Sequence, residues 1–281
     1  MKTVQKIFAV TTLALALTQV ATAADSDFQY TNTPSVTATG VPVLTLRTDP
    51  VYQGQFTFNG VTYKPDNPVA PETNSIDLSM LPNGDTHNTD TTDGINTVYR
   101  FYKQDYSVVV GNTQKAAPNR SFVKDVVGVY TAESVLPSTG SYTYNGEVFN
   151  HIKEHVIDGT NQTVSNSGTL TYTVKLDERT GSGSFAGVTG KRGGVYAGEF
   201  DLSGTLHTAD IEVKGGVLGA HGGDVTLVTS NPHLAGELAG AEAKYDMGVF
   251  GPNAEEVAGR IYGVSDYSGL GGFGLAGKRN P

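Results

Sequence analysis

The sequence predicts an all-β protein in two parts: an N-terminal strand-and-loop domain and a C-terminal eight-stranded antiparallel β-barrel. Three observations carry this reading. Long runs with a helical apolar period are missing, while short alternating runs recur along the 281 residues. Glycine is abundant (35 residues) and separates those runs at even spacing, as in an up-and-down barrel. Cysteine is absent, so no disulfide staples an exported form of the chain, and stability must come from a packed core.

The first element is not part of the fold. Lys2 and Lys6 precede an apolar run over residues 7–17, and Ala21-Thr22-Ala23 forms an A-x-A cleavage site, so residues 1–23 are expected to be a Sec signal peptide. The apolar run is too short to span a bilayer, which takes about 20 residues. Without cysteine, the mature end has nothing to carry a lipid. The net charge of −9 grows more negative once the basic leader is removed, and this disfavours nucleic acid or anionic lipid as a partner.

Residues 24–133 are expected to form the first domain. Residues 52–63 alternate around Asn59-Gly60, a dipeptide that accepts the positive φ of a tight hairpin turn. Residues 64–72 carry three prolines and read as a loop. Residues 82–94 contain no core-forming side chain after Pro82 and read as a polar loop, exposed or wrapped over a site. Strands are expected over 97–102, 106–111 and 123–130, with a loop at 116–120.

Residues 134–281 are expected to form the barrel. Strands are read at 140–146, 168–176, 181–187, 194–202, 206–213, 223–228, 241–250, 257–264 and 271–277, with an insertion within 147–156. Near the end, Pro252 to Glu256 read as a short helical turn, with Phe250 and Val257 facing inward on either side. A membrane barrel is disfavoured, because the strands read as short and carry charges on both faces.

Catalytic and metal motifs are sparse. Serine and threonine are plentiful but stand in no nucleophile elbow. Gly181-Ser-Gly-Ser-Phe-Ala-Gly187 opens no helix and lacks a P-loop lysine. Asp85, Asp90 and Asp93 lack the bidentate glutamate of a calcium loop. Asn119-Arg120-Ser121 matches a glycosylation acceptor, which an export signal of bacterial type makes irrelevant. His151 and His155 stand four apart, so in a helical turn they would share a face and suit one metal ion. These residues therefore give no support to an enzyme, and none is expected.

The final third becomes recognisable. Phe250-Gly-Pro-Asn-Ala-Glu-Glu-Val-Ala-Gly259, then Phe273-Gly-Leu-Ala-Gly-Lys-Arg279, with Gly168-Thr-Leu-Thr-Tyr-Thr-Val-Lys-Leu176 and Gly181 to Gly187 upstream, resembles the C-terminal barrel of the transferrin-binding-protein-B-like family. The resemblance covers about 135–281. Ala276-Gly277-Lys278-Arg279 departs slightly from the GGKR usual there. The family holds surface lipoproteins and secreted haemophores exported by a Slam-type outer-membrane translocator, and the lipid-free chain resembles the secreted, hemophilin-like haemophore branch.

That resemblance implies a lipid-free protein secreted from a Gram-negative bacterium, with an N-terminal handle domain that binds cargo. It implies non-covalent b-type haem as the cofactor, a TonB-dependent outer-membrane receptor as the recipient, and host haemoglobin as a haem source. A monomer is expected. With cysteine absent, histidine, methionine and tyrosine are the candidate iron ligands. His87 in the polar loop and His151 are the axial candidates, with His155 and Tyr102 as further haem contacts. His207 and His221 read as structural or exposed, and His233, in Asn231-Pro-His-Leu, reads as a turn residue. Phe56, Phe58, Tyr63, Met80, Leu81, Tyr99, Phe101, Tyr102 and Tyr106 could wall a pocket or build an ordinary core, and Arg47, Lys64, Arg100 and Lys103 could meet propionates. Other readings stay open: a module binding a host protein, a carrier of another hydrophobic ligand, and, more distantly, a hydrolase.

Overall fold

A computed structural model describes residues 28–32, 43–45, 56–58, 61–63, 75–90, 97–114, 117–150, 155–157, 160–162, 164–192, 198–264 and 272–281. Residues 1–23, expected to be a signal peptide, lie outside them. The fold is all-β, a closed eight-stranded antiparallel barrel beside a separate sheet.

The N-terminal part contains β1 (Gln29–Asn32), β2 (Val43–Thr45), β3 (Phe56–Phe58), β4 (Val61–Tyr63), β5 (Ser75–Asp77), β6 (Gly84–Asp90), β7 (Thr97–Lys103), β8 (Ser107–Gln114) and β9 (Ala117–Gly128). Strands β6 to β9 form an antiparallel meander, and β1 joins it in parallel along β9, giving the order β1-β9-β8-β7-β6. The anticipated hairpin is present as the β3–β4 pair, and its Asn59-Gly60 turn lies outside the described residues.

Two expectations fail here. The polar segment 82–94 is not all loop, since Gly84–Asp90 forms β6 and pairs with β7 over its whole length. Residues 117–120, expected in a loop, begin β9. Backbone pairing needs no apolar side chain, so an edge strand can form from a sequence that hydrophobic alternation does not reveal.

The sheet buries both faces. Tyr99, Phe101, Val108, Val110 and Val127 pack beneath Ile76, Leu78 and Leu81. The alternate residues, Val109, Val123 and Val126, face the barrel and pack with Phe149, Phe250, Ala258 and Ala276. The two-residue period of a strand thus distributes the candidate wall residues: Tyr99 and Phe101 go to the sheet's own core, Tyr102 and Tyr106 to the junction.

The C-terminal part contains β10 (Ser141–Asn150), β11 (His155–Ile157), β12 (Thr160–Gln162), β13 (Val164–Asn166), β14 (Gly168–Lys175), β15 (Thr180–Arg192), β16 (Gly198–Lys214) and β17 (Val217–Thr229). It continues with helix α1 (Pro232–Leu238), β18 (Lys244–Phe250), β19 (Glu256–Tyr262) and β20 (Phe273–Arg279). Strands β10 and β14 to β20 close into the barrel through the β10–β20 and β15–β16 pairs, while β11 and β12 form a separate ribbon. Helix α1 replaces an expected turn at His233, with Asn231 Oδ1 capping the amides of His233 and Leu234 at 3.0 and 3.1 Å.

Strand β16 runs unbroken through a stretch read as two strands. Gly204 sits inside it because the Phe185 ring lies where a side chain would project: a Cβ there would come within 2.4 Å of Phe185 Cε1. The barrel interior is filled by Tyr144, Tyr172, Tyr245, Phe273, Leu275 and their neighbours. The Tyr245 hydroxyl donates to the carbonyl oxygens of His207 and Gly181, at 2.8 and 3.2 Å. Alternate residues of β16 bury inward and face solvent, the inverse of a lipid-facing barrel, and this water-facing pattern persists although the strand reaches 17 residues.

The 251–254 turn is not helical, and its flanks divide between two cores. Val257 points into the barrel, whereas Phe250 points out, against Tyr30 and Tyr130 at the junction.

Gly204→Ala forces a methyl group against Phe185 and is expected to destabilise the barrel by about 1–3 kcal/mol. Urea unfolding followed by circular dichroism measures this. An unchanged midpoint and slope would show that the site tolerates the methyl.

Candidate functional site at the domain junction

Tyr102, one of the residues singled out as haem contacts, lies where the N-terminal sheet meets the end of β10. Tyr102 of β7 stacks on Phe149 of β10, ring centroids 4.7 Å apart and 15° from parallel. Such a pair adds about 0.5–1.5 kcal/mol beyond its area burial. Burial, then the charge and hydrogen bond of Glu147, raise the pKa of the Tyr102 hydroxyl.

Arg100 organises the rest. Its guanidinium binds Asp85 through two bonds of 2.8 and 2.9 Å, donates to the carbonyl of Asn150 and reaches Ser167 Oγ at 3.2 Å. It also lies over the Phe149 ring, 4.8 Å from the centroid. Asn150 ends β10 and Ser167 precedes β14. One side chain of the N-terminal sheet therefore holds both roots of the insertion 151–166.

In the register, His87 lies in β6 directly opposite Arg100 of β7, two positions from the Asp85–Tyr102 pair. His155 begins β11, opposite Gln162 of β12, inside the insertion that Arg100 anchors. His151 follows Asn150 and lies outside the described residues. His155 begins the strand β11, and the rest of the expected helical turn lies outside the described residues.

The remaining histidines sit elsewhere. His207 is exposed on β16 and bonds Thr226 Oγ1 at 2.7 Å, His221 on β17 bonds the Val217 carbonyl at 3.2 Å, and His233 is exposed on α1. Among the described residues no cluster of three or more His, Asp or Glu is placed to hold a metal ion.

Two propionate candidates are already engaged. Arg100 is committed as above. Lys103 is buried, donates to the carbonyls of Leu81 and Ser79 at 2.9 and 3.3 Å, and has its pKa lowered by burial. Arg47 and Lys64 lie outside the described residues.

A second contact zone, which the sequence did not mark, sits at the β7–β8 turn. Glu256, the first residue of β19, accepts from the amides of Asp105 and Tyr106 at 2.7 and 3.0 Å and from Ser107 Oγ at 2.8 Å. Gln104 adds bonds to Ser107 Oγ and to the Val257 carbonyl, at 2.9 and 3.1 Å. These partners are some 150 residues apart in sequence, so local patterning holds no trace of them.

Residues 134–261 match the family model described as Factor H binding protein, C-terminal. No curated protein matches the chain. Among solved structures, it is similar to a mutant of transferrin binding protein B from Haemophilus parasuis Hp5, with 15% identity and a TM-score of 0.38 over 73% of this chain and 39% of that one. The isotype 1 transferrin binding protein B of serogroup B Neisseria meningitidis is similar at 14% identity and a TM-score of 0.37, over 74% of this chain and 38% of that one. A protein described as a surface lipoprotein is similar over 87% of this chain and 100% of its own, at 12% identity and a TM-score of 0.32. The chain thus spans under half the length of the transferrin binding proteins it resembles.

Arg100→Met keeps most of the stem but leaves Asp85 without its bidentate partner, and is expected to cost about 2 kcal/mol, tempered by the partial exposure of Asp85. The midpoint of denaturant unfolding measures this, and a loss below about 0.5 kcal/mol would show that the clamp contributes little to stability.

Proposed function

We propose that this protein is an exported haem carrier that holds its cargo at the junction, between the β6 edge of the N-terminal sheet and the insertion after β10. The observation that carries the proposal is the Arg100 clamp. It ties both roots of the insertion containing His151 and His155 to the strand position opposite His87. The donor chemistry fits, since neutral imidazole is a strong ligand for haem iron. In this reading His87 supplies one ligand from the sheet, and His151 or His155 supplies the other from the insertion. Tyr102 serves as part of an aromatic wall, because its raised pKa and its stack on Phe149 disfavour a phenolate ligand. With both axial positions filled, the iron has no open site for catalysis.

The barrel is then the docking and export module, since its packed interior leaves cargo binding to the junction. Delivery to a TonB-dependent outer-membrane receptor, passage through a Slam-type translocator, and host haemoglobin as a haem source belong to the same reading, and rest on the resemblance of the last third of the chain. A second reading, capture of a host protein, takes its support from the match of residues 134–261 to a family named for factor H binding.

A haemin titration of the mature protein, followed through the Soret and visible bands, tests the first reading. Saturation at one equivalent, with the sharp visible bands of a six-coordinate low-spin complex, is expected. His87→Ala is expected to abolish that low-spin spectrum, and loss of His155 or His151 identifies the second ligand. A titration indistinguishable from free haemin would overturn the proposal, and immobilised factor H and transferrin would then be the binding partners to test.

A further inference from the structure

We propose that Glu256 is a latch between the barrel and the β7–β8 hairpin, whose protonation sets how tightly the two domains are joined. The geometry is that of an anion nest completed by a residue from the other domain. The turn after β7 presents two backbone amides and the Ser107 hydroxyl, and the barrel supplies the carboxyl that receives all three. Glu256 is 1% exposed and Ser107 0%, so undocking exchanges a dry carboxyl for a hydrated one.

The charged groups around it are spoken for. Lys278 of β20 pairs with Asp105 of the turn at 2.6 Å, which holds the Asp105 carboxyl below its usual pKa. Arg279 bonds the Asn253 carbonyl at 2.7 Å, and Glu255 binds Asn253 at 2.8 Å. From the sheet, Lys103 turns away to the Ser79 and Leu81 carbonyls, and the Tyr106 hydroxyl has its pKa raised by burial. The charge of Lys278 lowers the Glu256 pKa, but less than burial raises it.

Burial therefore dominates. It pushes the Glu256 carboxyl from 4.5 up to about 7, against the hydrogen bonds of Ser107, Tyr106 and Asp105. The docked state binds the proton more tightly than the undocked one. Joining is thus strongest below about pH 4.5, weakens as pH rises toward 7, and is level above that. The latch is independent of which cargo the protein carries.

Hydrogen exchange of the Asp105 and Tyr106 amides, corrected for intrinsic rates, reads the opening directly, and a carbon-13 titration reads the carboxyl itself. In the full chain the opening constant is expected to rise on the order of 100-fold between pH 4 and 8, and to stay flat in Glu256→Gln. A flat response in the unmodified protein, or a Glu256 carboxyl titrating near 4.5, would overturn the proposal. If Glu256→Gln does not fold, Ser107→Ala decides. It removes a donor to the charged carboxyl, so the transition should move to higher pH, and an unmoved transition overturns the latch.

Discussion

The junction between the N-terminal sheet and the outer wall of the barrel is the constraint on which the rest of the molecule depends. Strands β18 to β20 are buried on both sides. Inward they line the barrel core with Val249, Val257 and Leu275, and outward they meet the sheet with Phe250, Ala258 and Ala276. A strand covered on both faces loses the hydrophobic-in, polar-out alternation of a solvated one. The continuous burial of residues 245–250 and 256–261 follows from this, and so does the demand for small residues. Gly259 lies so close to β18 that a Cβ would come within 1.9 Å of the Asp246 carbonyl oxygen.

The same constraint divides labour between the two parts. The barrel spends its interior on its own stability, with Tyr144 and Tyr245 finding carbonyl partners across the core for their hydroxyls. The seam outside it instead buries polar groups such as Arg100, Glu256 and Gln104, with hydrogen bonds met by the other part.

How much of this was legible in the sequence depended on whether the signal was local. Strand β14 alternates cleanly, with Leu170, Tyr172 and Val174 inward, and was read with its boundaries nearly right. Strand β6 was missed because an edge strand reveals itself through pairing and not through its own side chains. The long strand β16 was cut in two because Gly204 looked like a turn, when its meaning lay in Phe185 across the sheet. Helix α1 gave only an Asn231-Pro232 start signal, and one-turn evidence does not distinguish a short helix from a turn. At the site, Arg100 was visible as a basic residue among aromatics, but its tie to Asn150 and Ser167 spans 50 and 67 residues, and no periodicity reports that.

The placement of Arg100 has a consequence for how such a chain can diversify. Because both roots of the 151–166 segment are gathered at one guanidinium, the closure of that loop is already fixed, and each doubling of its length adds only about 0.6 kcal/mol of chain entropy. The register of β10 against β14 and β20 does not depend on what is threaded between the roots. The length and side chains of the part before β13 can therefore change while the strand pairs at its roots keep their register.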